Sequence, residues 1–163
     1  MNGTAKLGGV LASVALALAI AATSAGAREA VPAVGWPATA AGTISLRETG
    51  HLHLTSKHNF TLNEQGSASG TVRGTIFVHL TAVSSSRVTV EVNIYARGGS
   101  ISGRGAGSYH RVGTAASFSG SMTIGRGTGS FAHVHGTGLS FSGTIQESGN
   151  DPITVYVSGR VAD

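Results

Sequence analysis

Apolar and polar residues alternate with a period of two in six segments of the chain. The clearest is 87–97, where the even positions are apolar and the odd positions are polar or charged; the others are 43–47, 75–81, 117–124, 139–146 and 153–161. This period is typical of a β-strand with one buried face, because successive side chains point to opposite sides of a strand. No helical period occurs after residue 42.

Glycine-, serine- and proline-containing stretches separate these segments and predict turns at 64–67, 84–86, 97–99, 125–127 and 149–152. The glycine-rich stretches 103–107 and 125–129 could suggest phosphate loops, but no helix follows them, so hairpin turns are the better interpretation. Strands spaced in this way favour an antiparallel sandwich or barrel. We therefore predict an all-β domain at 42–163: a single antiparallel β-barrel of about eight strands.

In a closed barrel the face made of Val, Ile, Leu and Phe should point inward, around either a solid core or an apolar cavity. The candidate cavity-lining, ligand-binding residues are Val90, Val92, Phe118, Met122, Phe141, Ile145, Val155 and Val157. The strand 87–97 also carries a polar trio, Glu91, Asn93 and Tyr95. These three become site candidates only if the two faces are reversed.

The first 27 residues have the pattern of a bacterial-type signal peptide. One lysine precedes an uncharged apolar run at 7–22, and small residues at Ala25 and Ala27 fit a signal peptidase site. We predict cleavage after Ala27, a secreted, extracellular product, and no stable membrane insertion after cleavage. Residues 28–41, which contain two prolines and no clear period, are predicted to form an extended arm.

Composition restricts the partners of the domain. The chain has 163 residues, 25 of them glycine, with only 11% charged residues and no cysteine, so disulfides and thiolate chemistry are excluded. The formal net charge is +4, but the arginines are scattered singly along the chain. Nucleic-acid binders usually cluster their basic residues on one face, so nucleic acid is not an expected partner.

The sequence shows no catalytic or metal-binding motif. His51 with His53 and His133 with His135 form H-x-H pairs, whose rings share one face of a strand, but the acidic third ligand that follows this motif in cupins is missing. No nucleophile elbow occurs, and no two carboxylates lie close together within one strand. We predict no metal, no cofactor and no catalytic residue.

Two stretches, GRGTGSF at 125–131 and GTGLSFSGTI at 136–145, carry a family resemblance. They resemble the barrel family of allene oxide cyclases and dirigent proteins, whose members carry a similar Gly-x-Gly-x-Phe segment followed by a glycine-containing strand. The signal peptide and the absence of cysteine are similar to the secreted bacterial branch. The resemblance implies an eight-stranded barrel with a central cavity, often as dimers or trimers. Neither the cyclases' nor the dirigent proteins' functional residues have matching positions here.

Three functional hypotheses follow. The first is non-catalytic binding of a small apolar ligand or of a surface partner, since the inner face carries no polar constellation. The second is a cyclase or isomerase that acts on a reactive apolar substrate in the cavity. The third is a structural or adhesive protein that associates through its Ser/Thr face or its edge strands, and a homo-oligomer is compatible with all three.

Overall fold

The computed structural model describes residues 42–146 and 152–163, which form a closed barrel of eight antiparallel strands. The strands follow one another around the barrel in chain order, and β8 pairs with β1 to close the ring. They are β1 (Thr43–His58), β2 (Thr61–Gly70), β3 (Gly74–Ser84), β4 (Arg87–Ala96), β5 (Gly99–Val112), β6 (Ala115–Gly129), β7 (Gly136–Gln146) and β8 (Ile153–Ala162). The predicted fold class is confirmed.

Three further predictions concern residues outside this range. The signal peptide at 1–27, its cleavage after Ala27 and the arm at 28–41 all lie outside the described residues. Within the part of the chain that the structure does describe, no helix has the length and apolar character needed to cross a membrane.

The connections between strands fall alternately at the two ends of the barrel, because each strand runs antiparallel to the next. The end that holds Gly42 and Asp163, here called the terminal end, also carries the β2–β3, β4–β5 and β6–β7 connections. The opposite end, here called the far end, carries the β1–β2, β3–β4 and β5–β6 turns. The β7–β8 connection belongs to the far end by topology, and its residues 147–151 lie outside the described range.

The apolar faces of the six predicted segments all point into the barrel. In β4, for example, Val88, Val90, Val92 and Ile94 are buried, whereas the alternate residues lie on the outer wall. The interior is a single cluster of buried hydrophobic residues contributed by every strand. The inward assignment made from the sequence is therefore confirmed.

Glycines on the inner face make room for the largest side chains. A Cβ atom added to Gly143 would lie 2.3 Å from Cζ of Phe118, and one added to Gly120 would lie 2.8 Å from Cε1 of Phe141. Real Cβ atoms do not approach other heavy atoms this closely, so each aromatic ring occupies space that only glycine leaves open. The two rings lie with their centroids 6.0 Å apart and fill the middle of the barrel.

Three of the predicted turns are wrong. Residues 64–67 lie in the middle of β2, 103–107 lie within β5, and 125–127 lie within β6. In each case glycine lies within a strand rather than a turn; at Gly103 and Gly105 it leaves room for the side chains of Met122 and Phe141, and at Gly66 it allows close approach of the β1 backbone. Segment 61–70 also lacks an apolar alternation, since its inward positions include Glu64 and Gly66.

Candidate functional site

All eight predicted cavity-lining residues are buried inside the barrel, where they pack against one another. Among the described residues, an internal cavity near the terminal end to which Val92, Met122 and Val157 contribute has a volume of only about 20 Å³. A volume of this size accommodates about one water molecule. Pockets that bind drug-sized ligands have volumes of about 300–1,000 Å³. In this structure the predicted ligand site is thus a packed core.

One polar side chain does reach the internal cavity. Glu48 on β1 is 4% exposed, and its Oε1 accepts a hydrogen bond of 2.6 Å from the backbone N–H of Val72 in the β2–β3 connection. Its Oε2 has no hydrogen-bond partner among the described residues. Burial away from water raises the pKa of Glu48 from 4.5 to about 7, although hydrogen bonds from the backbone of Val72 and Thr71 oppose part of this shift.

Glu48 therefore holds the β2–β3 connection against the end of the barrel. The connection is also fixed by Thr71, whose Oγ1 accepts a hydrogen bond of 2.9 Å from the backbone N–H of Arg47 and whose own N–H donates to the Arg47 carbonyl. Val72, between these contacts, is buried. Glu48 closes the terminal end as a structural anchor.

A second carboxylate, Glu64 on β2, is 2% exposed but lies far from the first. The strand register places Glu64 opposite Leu54 on β1, six residues along that strand from Glu48. At about 3.3 Å per residue this is a separation of about 20 Å. Two carboxyl groups so far apart cannot share one substrate as an acid–base pair.

Sequence reasoning missed both buried glutamates, although a signal for one of them exists. In β1 the inward positions continue from Leu46 through Glu48 and Gly50 to Leu52, so the period of two itself predicts an inward Glu48. The alternation from which this strand was predicted covers only residues 43–47. Glu64 carried no such signal, because the residues around it were interpreted as a turn.

The polar trio on β4 lies on the outer wall. Oε1 of Glu91 lies 3.1 Å from Nε of Arg104 in a salt bridge, and Asn93 accepts a hydrogen bond of 2.7 Å from the hydroxyl of Ser102. Tyr95 is 56% exposed, and its ring meets that of Phe77 edge to face with centroids 5.6 Å apart. The faces are not reversed, so none of the three lines the interior.

Three neighbouring depressions on this outer wall share lining residues, and together we call them the wall groove. The first, of about 440 Å³, is lined by Phe77, His79, Asn93 and Tyr95. The second, of about 380 Å³, shares Asn93 and adds residues that include Glu91, Ser102, Arg104 and Arg126. The third, of about 740 Å³, shares Arg126 and reaches His133, His135 and Asp163 at the terminal end. An exposed aromatic ring, an amide, a hydroxyl and two guanidinium groups thus lie along one path.

The histidines of both H-x-H pairs are exposed, as are His58, His79 and His110. Among residues 42–146 and 152–163, no three His, Cys, Asp or Glu side chains are grouped so that they could hold a metal ion. Nδ1 of His135 lies 2.8 Å from the backbone carbonyl oxygen of His133, within hydrogen-bond distance. The pairs form part of the polar exterior.

Cations outnumber carboxyl side chains on the described part of the exterior. Of the described ionisable residues, only Glu91 and Asp163 place a carboxyl side chain outside the core. All nine described lysines and arginines are exposed: Arg47, Lys57, Arg73, Arg87, Arg97, Arg104, Arg111, Arg126 and Arg160. A partner that approaches this part of the chain meets a surface that favours negative charge.

Comparison of the chain with protein-family models, with curated proteins and with solved structures gave no match. The resemblance to allene oxide cyclases and dirigent proteins therefore stays a prediction, and so do the secreted destination and the oligomeric state. The function has to be argued from the barrel itself.

Proposed function

We propose that the protein is an exported, non-catalytic binding barrel that holds an acidic polysaccharide chain along the wall groove. The observation that carries the proposal is that three neighbouring depressions share lining residues and bring an exposed tyrosine and two exposed arginines to one side of the barrel. This is the surface-partner form of the binding function expected from the sequence.

The packed interior supports a site on the outside. An apolar ligand or a cyclase substrate inside the barrel requires a pocket of several hundred Å³, whereas the described interior leaves about 20 Å³. The two cavity hypotheses remain predictions, and each would require the aromatic core around Phe118 and Phe141 to open. The wall groove is accessible without any rearrangement.

The groove offers the chemistry that a sugar acid needs. The ring of Tyr95 is held in place by Phe77 and presents an apolar surface next to polar groups, which suits the mixed faces of a sugar ring. Asn93 and Ser102 provide amide and hydroxyl groups for sugar hydroxyls. The guanidinium groups of Arg104 and Arg126 are suited to carboxylates, which they can bind through two parallel hydrogen bonds.

Binding of polygalacturonate to the purified protein, measured by isothermal titration calorimetry, tests the proposal. The double variant Arg104→Gln/Arg126→Gln should weaken binding by about tenfold or more, since hydrogen bonds to charged groups contribute about 1.5–3 kcal/mol each. Tyr95→Ala should weaken it by a smaller factor. Neutral dextran of similar length should bind poorly to every variant.

The matched control is Arg87→Gln/Arg111→Gln, which removes the same charge at the far end and leaves the wall groove intact. It should reduce affinity only through the lower net charge. If both double variants lost affinity equally, the polysaccharide would be held by overall charge, and the assignment of the groove would be wrong. No measurable binding of polygalacturonate by the unaltered protein would reject the proposed ligand class.

A further inference from the structure

Three of the five large hydrophobic residues that are exposed in the described chain lie together at the far end of the barrel. Phe60 in the β1–β2 turn is 76% exposed, Val83 beside the β3–β4 turn is 63% exposed, and Val112 beside the β5–β6 turn is 67% exposed. Each of the three described connections at this end carries one of these residues, and we call Phe60, Val83 and Val112 the apolar tips. The described connections at the terminal end have none, and the residue at the centre of one of them, Val72, is buried.

The three tips are held in place by the backbone. The N–H of Ala82, next to Val83, donates a hydrogen bond of 2.9 Å to the carbonyl of Phe60, and the N–H of Tyr109 donates one of 2.9 Å to the carbonyl of Ser86. The β3 strand also contains a register shift between Ala82 and Ser84. Val83 is the extra residue at this shift and has no partner on β4, and like the other odd-numbered residues of β3 it faces away from the interior.

Each apolar tip has a cation close to it in the chain. Lys57 lies three residues before Phe60, Arg87 four residues after Val83, and Arg111 next to Val112, and all three cations are exposed. Two described carboxylates lie on the half of the barrel towards this end: Glu64 is buried, and Glu91, four residues after Arg87 in β4, is exposed and paired with Arg104. The fourth connection here, residues 147–151, includes Glu147 and Asp151 and lies outside the described range, so the inference rests on the other three connections.

We infer that the far end of the barrel docks on an anionic lipid surface, with Phe60, Val83 and Val112 entering the headgroup region and Lys57, Arg87 and Arg111 contacting lipid phosphates. Exposed apolar tips beside cations match such a surface, because apolar insertion and charge attraction each add to the affinity. The apolar residues are too few and too widely separated by polar neighbours to form the core of a stable protein interface. This docking is independent of the wall groove, which lies on the side of the barrel.

The experiment is co-sedimentation of the purified protein with vesicles of phosphatidylcholine alone or mixed with phosphatidylglycerol. We expect binding to the mixed vesicles, little binding to phosphatidylcholine alone, and weakening by added salt. Phe60→Ser/Val112→Ser should reduce affinity about tenfold or more. Arg87→Gln/Arg111→Gln should reduce it by a comparable factor, since each cation near an anionic surface contributes about fivefold.

Two matched controls make the result decisive. Tyr156→Ser removes an exposed apolar side chain from the side wall, and Arg104→Gln/Arg126→Gln removes two cations from the wall groove, so neither should alter vesicle binding by more than about twofold. Thermal unfolding of each variant verifies that the barrel is intact.

Absence of binding to the mixed vesicles would overturn the inference. Equal losses in the far-end and wall variants would also overturn it, because the attraction would then be charge alone. If the protein instead formed dimers that Phe60→Ser disrupts, the tips would be a contact between copies rather than a lipid site.

Discussion

The buried Glu48 makes a prediction about stability and pH. Its pKa rises from 4.5 in an ordinary environment to about 7 in the folded barrel, because the carboxyl group lies in an apolar cavity away from water. The folded state therefore binds this proton more tightly than the unfolded state does. The stability that the protonated group contributes is fully present below about pH 4.5 and is lost as the pH rises through 7.

The size of the effect follows from the shift. Each pKa unit corresponds to about 1.4 kcal/mol, so a shift from 4.5 to about 7 corresponds to a loss of about 3 kcal/mol between these two pH values. Glu48→Gln cannot ionise, yet it keeps an oxygen that can accept the hydrogen bond from Val72. The variant should lack this part of the pH dependence. The free energy of unfolding of the variant minus that of the unaltered protein should therefore be higher at pH 8 than at low pH.

The assay is urea unfolding of both proteins at several pH values from 4.5 to 8. All other ionisable groups are present in both proteins, so their contributions cancel in the difference between the two free energies of unfolding. That difference should change by about 3 kcal/mol across the range. If the two curves ran parallel, Glu48 would titrate alike in the folded and unfolded states, and its role as a buried anchor would be refuted.

Three further predictions concern packing and surface charge, each measured by urea unfolding. Gly143→Ala places a Cβ atom against the ring of Phe118 and should destabilise the barrel by about 1–3 kcal/mol, whereas Gly125→Ala, with no heavy atom within 4 Å of the new Cβ, should change stability by less than about 0.5 kcal/mol. Equal effects of the two would argue against the tight core. Phe141→Ala should cost about 3–5 kcal/mol, and a loss below about 1 kcal/mol would indicate a hollow interior. Arg104→Gln removes an exposed ion pair and should change stability by less than about 1 kcal/mol; a larger loss would mean that the wall variants cannot be used as binding tests.

The fold was predictable from the sequence because most strands bury only one face. In β4 every second residue is Val or Ile, so the period of two identifies both the strand and its inner side. The same reasoning failed for β2, whose inward positions include Glu64, Gly66 and Ala68. A glutamate, a glycine and an alanine at successive inward positions leave no apolar alternation from which this strand could be recognised.

The site was less predictable, since it depends on which strands become neighbours. The pairing of Asn93 with Ser102 and of Glu91 with Arg104 follows from the β4–β5 register, which the sequence does not state. The exposed tips are a similar case. The alternation in β3 places Val83 on the outer face, but the sequence does not show that Phe60, Val83 and Val112 come to the same end of the barrel. The sequence also does not decide whether the interior is solid or hollow, because an apolar inner face is compatible with both.

The packed interior and the basic exterior have a common consequence for function. A count of charges along the sequence treats every carboxylate alike and gives +4. In the folded barrel Glu48 and Glu64 are directed inward, so the described surface presents the carboxyl side chains of Glu91 and Asp163 beside nine exposed cations. An approaching partner therefore meets more cations than carboxyl groups on the described surface. Because neutral serine and threonine residues occupy most of the outer wall, this charge is dispersed, and overall attraction alone cannot distinguish one acidic partner from another. Selectivity then has to come from local geometry, which in the described chain means the tyrosine and arginines of the wall groove and the apolar tips of the far end.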